Sequence, residues 1–142
     1  MMKIDGGCHC GAIRYEAEID PELVGICHCT DCQTLSGSAF RGGVTAPEGG
    51  FRIIAGTPKI YVKTTDAGTR RAMGFCADCG THIYSAAGEG EEPRQYRVRV
   101  GTARQRGELA PRRQVWTRSA LSWLADLGAL PGSEKQEDAG RL

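Results

Sequence analysis

No stretch of this chain approaches the roughly 20 consecutive apolar residues that a membrane-spanning helix requires. The opening Met1-Met2-Lys3-Ile4-Asp5 also lacks the apolar run of a secretory signal. These absences set the expectation of a soluble, cytoplasmic protein with no membrane partner. Repeats of solenoid length are absent, and helix signals are scarce. With 142 residues and 15.2 kDa the chain has room for one domain rather than two. Net charge is only +1, yet the arginines are unevenly spread. Residues 94–118 hold eight arginines against Glu108 alone, a local balance of +7. Such a segment can form an anion-binding face or a set of solvated arginines. Aromatics are missing from it apart from Tyr96 and Trp116, which weakens a single-stranded nucleic-acid reading.

What the chain does have is cysteine. Seven are set out as Cys8-x-Cys10, Cys27-x-Cys29-x-x-Cys32 and Cys76-x-x-Cys79. The odd count argues against a purely disulfide framework, and a reducing cytoplasm favours metal over disulfides. Four thiolates close a tetrahedral zinc site, whereas three leave one position open. Closed sites support folds and open ones support chemistry. The economical partition is one of each. Cys8, Cys10, Cys76 and Cys79 would clasp the N-terminal strand to a distant hairpin, with Gly11 and Gly80 available for the turns. Cys27, Cys29 and Cys32 would supply three ligands from one short loop. Their fourth ligand is water, a substrate thiol, His28 or Asp31. His9, His28 and His82 are isolated, and such histidines more often support a site than ligate. Three thiolates on Zn²⁺ sum to −1, a weak Lewis acid better suited to holding a sulfur ligand than to activating water. Arg41 and the later arginines are the candidates for balancing a bound thiolate.

Short strands joined by glycine-rich turns dominate the rest. Ile13, Tyr15, Ala17 and Ile19 alternate with charged residues, as do Tyr96, Val98 and Val100 with Arg97 and Arg99. Residues 51–54, 59–63 and 81–85 are further strand candidates, with Gly56-Thr57-Pro58 as a turn. The expected fold is mainly antiparallel β. Thr30-Asp31-Cys32-Gln33 matches a capping box and predicts a helix over residues 31–36, stopped by Gly37. Ser119 is expected to cap a second helix running to Gly128. Residues 36–40 follow the cysteine loop and are expected to line its pocket, with Trp116 and Trp123 as core or lid packing. Residues 131–142 are polar and are expected to form a mobile tail, leaving 1–130 as one zinc-binding domain.

Several segments together resemble the glutathione-dependent formaldehyde-activating enzyme family, also called the centromere protein V family. They are Gly6-Gly7-Cys8-His9-Cys10-Gly11-Ala12-Ile13-Arg14-Tyr15, Cys27-His28-Cys29-Thr30-Asp31-Cys32-Gln33, Ser36-Gly37-Ser38-Ala39-Phe40, Phe75-Cys76-Ala77-Asp78-Cys79-Gly80-Thr81, Trp116-Thr117-Arg118-Ser119 and Trp123-Leu124. The resemblance spans residues 5–127. It implies an Mss4-like β-tent of antiparallel sheets with a structural zinc. It also implies the same ligand partition, with Cys27, Cys29 and Cys32 at a catalytic zinc. The implied activity is carbon–sulfur lyase chemistry, joining formaldehyde or a related small aldehyde to glutathione or another small thiol to give S-(hydroxymethyl)glutathione or its analogue. The competing reading is a zinc-stabilised module that binds nucleic acid or an acidic partner without catalysis.

Overall fold

The computed structural model describes residues 1–91 and 93–136. The molecule is mainly β, as its alternating sequence leads one to expect. A three-stranded sheet is ordered β1 (Met2–Gly7), β2 (Arg14–Ile19), β5 (Phe51–Ala55). A seven-stranded sheet runs β10 (Arg113–Val115), β3 (Gly25–Cys27), β4 (Arg41–Ala46), β9 (Tyr96–Arg99), β8 (His82–Ala87), β7 (Arg70–Phe75), β6 (Lys59–Thr64). All neighbours pair antiparallel except β10 and β3, which are parallel. The Gly56 turn therefore carries the chain from one sheet to the other and does not close a hairpin.

The period of two decides which face meets which environment. In β2, Tyr15, Ala17 and Ile19 are buried while Arg14, Glu16 and Glu18 are exposed. In β9, Val98 enters the core and Arg97 and Arg99 take the opposite face. The sheets meet through aromatic rings. Phe51 of the small sheet stacks on Tyr96 at 4.7 Å and meets Tyr84 edge-on at 5.2 Å, with Tyr15 at 5.5 Å. Tyr15, Ile19, Val44, Ile83 and Val98 are fully buried around them. Burial of side chains this size contributes about 1.5–3 kcal/mol each, and paired rings add directionality.

The helical segments depart from expectation in two places. The helix α1 covers Thr30–Ser36, but its N-cap is Cys29 rather than Thr30. The Cys29 sulfur accepts from the Cys32 amide at 3.3 Å, displacing the Thr30–Gln33 capping box. Gln33 instead donates to the carbonyls of His28 and Ser119. Gly37 ends the helix with φ +62, as expected of a glycine stop. The second expected helix is not an α-helix. Thr117–Ser119 and Ser122–Ala129 are 3-10 segments, the latter with Leu121 at its start and no side-chain cap. Residues 131–136 are exposed and without regular structure; the remainder of the expected tail, 137–142, lies outside the described residues. Among the described residues no helix is long and apolar enough to cross a membrane.

Candidate metal centres and a cationic cavity

Two hairpin tips, one from each sheet, bring four thiols together. Cys8 and Cys10 lie between β1 and β2, and Cys76 and Cys79 between β7 and β8. Tight turns shape both tips. The Gly11 amide donates to the Cys8 carbonyl and the Gly80 amide to that of Cys76, with both glycines at positive φ. The four sulfurs all stand within 4.8 Å of one another. Cys8 and Cys10 are 3.6 Å apart, and Cys10 and Cys76 3.7 Å. Sulfurs at 2.3 Å from a shared ion in a tetrahedron stand about 3.8 Å apart. The spacing and the all-sulfur donor set therefore fit zinc. Backbone and hydroxyl donors already point at them: Ile13 N–H to Cys8 at 3.2 Å, and the Thr81 hydroxyl beside Cys79 at 3.2 Å. That hydroxyl, with amide help, holds Cys79 down to about 5.

Cys27, Cys29 and Cys32 form the second group, also within 4.8 Å. Cys27 ends β3, Cys29 caps α1 and Cys32 lies in its first turn, so strand end and helix start aim three sulfurs at one point. Hydrogen bonding from the Cys32 thiol holds Cys27 down to about 5, while Cys32, giving that proton, is pushed up. Among the described residues no His, Asp or Glu completes this group. His28 is buried and turned away, its Nε2 2.7 Å from Gln114 Oε1. Asp31 is ion-paired with Lys63 at 2.8 Å. His9 is exposed, and His82 stacks on Phe75 at 5.4 Å. The triplet is a three-sulfur donor set with room for one more ligand.

That room is a cavity of about 280 Å³ walled by the seven-stranded sheet. Arg41, Arg71, Arg97, Arg99 and Lys63 line it, and among the described residues no acidic side chain does. The β3–β4 register sets Arg41 opposite Cys27, and β4–β9 pairing sets Arg99 opposite Gly43. Arg41 and Arg99 are only 4% and 7% exposed. Burial pushes the Arg99 guanidinium down to about 9, with Arg41 adding repulsion. Arg97 lies across two glycines and donates to the Gly25 carbonyl at 3.1 Å. A Cβ at Gly43 would stand 2.9 Å from its Nε. Trp116, half exposed at the mouth, has φ +57, the sole positive value among described non-glycine residues. A left-handed tryptophan costs about 1 kcal/mol or more.

Three expectations need correction. Residues 36–40 do not line this cavity. Gly37, Ser38 and Phe40 border a separate apolar groove with Leu121, Trp123 and Leu127. Of the two packing roles expected of Trp123, core or lid, its half exposure there excludes the core. The basic segment does not form one face, since Arg97 and Arg99 enter the cavity while Arg104, Arg106, Arg112, Arg113 and Arg118 face outward. Sequence reasoning missed Arg71, Lys63 and Ser85 in the cavity wall. The alternation of β9 was a usable signal for Arg97 and Arg99, but the pairing of β6, β7 and β8 that brings the others in leaves no local mark.

A zinc-compatible sulfur quartet on hairpin tips, joined to an open triplet in a two-sheet β fold, has a counterpart among known families. The model of the glutathione-dependent formaldehyde-activating enzyme family matches residues 3–119, and the chain belongs to that family. An uncharacterized lyase of Schizosaccharomyces pombe is 27% identical over 99 residues. The match spans 66% of this chain and 64% of the yeast protein, less than two thirds of that relative's length. A crystal structure of a Rhodobacter sphaeroides protein shares the fold, with a TM-score of 0.59 and 22% identity over 78% of this chain and 99% of that one.

Proposed function

We propose that this protein is a zinc-dependent enzyme of the carbon–sulfur lyase type that joins formaldehyde, or another small aldehyde, to glutathione or a similar thiol. The observation carrying this reading is the incomplete three-sulfur set opening into a cavity without acidic lining. Family membership supports the choice of thiol and aldehyde. Cys8, Cys10, Cys76 and Cys79 would hold a structural zinc. Cys27, Cys29 and Cys32 would hold a second zinc, which when bound keeps a thiol deprotonated near neutral pH. A reducing, cytoplasmic setting would keep all seven thiols available to metal.

The chain's own residues supply charge and position. Arg41 lies within electrostatic reach of all three thiols and offsets their charge. Arg97 and Arg71 attract the carboxylates of an incoming thiol, and Trp116 shields the mouth from water. In the reaction a sulfur–carbon bond forms, the carbonyl π bond breaks, and the proton lost by sulfur ends on the new hydroxyl oxygen. Holding the two reactants together provides the rate gain. Zinc analysis of gently purified protein should give two ions per chain. Mild chelation should remove one of them, together with glutathione-dependent formaldehyde consumption above the uncatalysed rate. Consumption equal to the uncatalysed rate in the two-zinc protein would sink the reaction proposed.

Gly43→Ala tests the cavity wall. The new methyl pushes Arg97 off the sheet and breaks its bond to Gly25. Stability should fall by only about 1 kcal/mol, because a flexible side chain can yield. Glutathione binding measured by calorimetry should weaken by about three- to tenfold. Unchanged affinity would mean that Arg97 serves the ligand equally well from elsewhere.

A further inference from the structure

Arg41 and Arg99 differ from the other cavity cations in having unanswered donors. Both are almost wholly buried, yet Nη1 and Nη2 of Arg41 and Nε of Arg99 meet no hydrogen-bond partner among the described residues. Arg97 has the Gly25 carbonyl, Lys63 has Asp31, and Arg71 feels Glu91. Buried guanidinium donors without partners are costly, and a fold that keeps such donors on two neighbouring arginines has a use for an anion there.

The triplet alone does not account for that charge. Three thiolates and Zn²⁺ sum to −1, and a substrate thiolate makes −2. Arg41, Arg71, Arg97 and Arg99 supply +4 around the same cavity, leaving +2 over. Position narrows the ligand further. Arg41 sits directly across the β3–β4 ladder from Cys27, and Arg99 is its diagonal neighbour through Gly43. Side chains of directly opposed residues start about 5 Å apart, so an anion on this pair lies close to the sulfurs. Guanidinium groups favour planar oxyanions that can accept two hydrogen bonds.

We propose that Arg41 and Arg99 form a carboxylate subsite for an acid group lying only a few bonds from the sulfur presented to the triplet. This rests on reading the triplet as a thiol-binding centre. The carboxylate can belong to the thiol itself or to the carbonyl compound added to it, as in the adduct of a 2-oxo acid aldehyde. In either case the preferred ligand carries a carboxylate within a few bonds of its sulfur.

The test compares 3-mercaptopropionate with its neutral amide, 3-mercaptopropionamide, by titration calorimetry on the zinc-replete protein. The acid should bind at least about tenfold more tightly at low salt, and Arg41→Met or Arg99→Met should erase that preference while the amide still binds. A second arm holds 2-mercaptoethanol constant and compares glyoxylate with glyoxylamide. A preference confined to this arm places the acid on the carbonyl partner, and one confined to the first places it on the thiol. If acid and amide bind equally in both arms of the unmodified protein, the subsite is overturned, and this needs no variant to fold. Arginine variants that weaken acid and amide by the same factor, leaving the preference for the acid intact, also overturn it, because the pair would then act only as counter-charge to the sulfurs. If no thiol binds at all, the thiol-centre reading falls as well, a result distinct from equal binding.

Discussion

Cys76→Ala is expected to lose both metal and fold. Cys76 is 2% exposed, sits in the core cluster and stands 3.7 Å from the Cys10 sulfur. One hairpin tip of each sheet meets at this quartet, so removing a ligand unties the sheets at that end. Structural zinc sites bind with apparent free energies of about 10–16 kcal/mol, comparable to the roughly 5–15 kcal/mol that separates a domain from its unfolded chain. The cooperative transition in a thermal melt should vanish or fall by tens of degrees, and zinc per chain should drop from two toward none. A variant with unchanged melting temperature and metal content would remove the quartet from the structural role proposed for it.

Cys29→Ser should give the opposite result. Its sulfur caps α1 through the Cys32 amide. A serine hydroxyl is among the best N-caps, so it takes over that bond, whereas alanine would forfeit about 1 kcal/mol. The fold is therefore retained, with a melting temperature within a few degrees of the parent. A serine hydroxyl is a poor substitute for a thiolate, so zinc content should fall by one ion per chain and glutathione-dependent formaldehyde consumption should drop to background. Parallel melting and turnover measurements separate the roles. An unfolded Cys29→Ser protein would make the triplet structural, and a folded, fully active one would take it out of catalysis.

The two sulfur groups were legible because close ligand spacing is a local property: two cysteines two or three residues apart share a turn whatever surrounds them. The strands that read clearly, β2, β5, β6, β8 and β9, carry β-branched or aromatic residues or a clean alternation. Those that did not are three residues long (β3, β10), hold paired glycines (β1, β4) or lack β-branched residues and a clean alternation (β7), and several of their glycines answer to distant neighbours. Gly43 and Gly25 leave space for Arg97, and Gly74 leaves it for the Tyr84 ring. The N-cap was misplaced because cysteine is not a usual capping residue: the helix starts one residue earlier, the Cys32 amide donates to the Cys29 sulfur, and the Gln33 amide that Thr30 would have capped donates to the Cys29 carbonyl. The tryptophan-bearing C-terminal stretch had helical spacing but tightened into 3-10 turns. The cavity's arginines come from β4, β7 and β9, a gathering that depends on strand order alone.

Strand β10 has a consequence for how the site exchanges its contents. It is three residues long, exposed throughout, and sits at the sheet margin, where among the described residues β3 is its one strand neighbour. It nevertheless carries Val115 and leads into Trp116, the outer wall of the cavity. Besides the ladder, a bond from the His28 amide to the Val115 carbonyl and the contact between Gln114 and His28 hold it down. Short marginal strands fray at small cost compared with opening a core. The wall can thus swing away while β4, β8 and β9 keep their hydrogen bonds and the quartet stays shut. Opening the cavity from this side would break only a few peptide hydrogen bonds, so amide exchange at Gln114 and Val115 is expected to run well ahead of that in β4, β8 and β9.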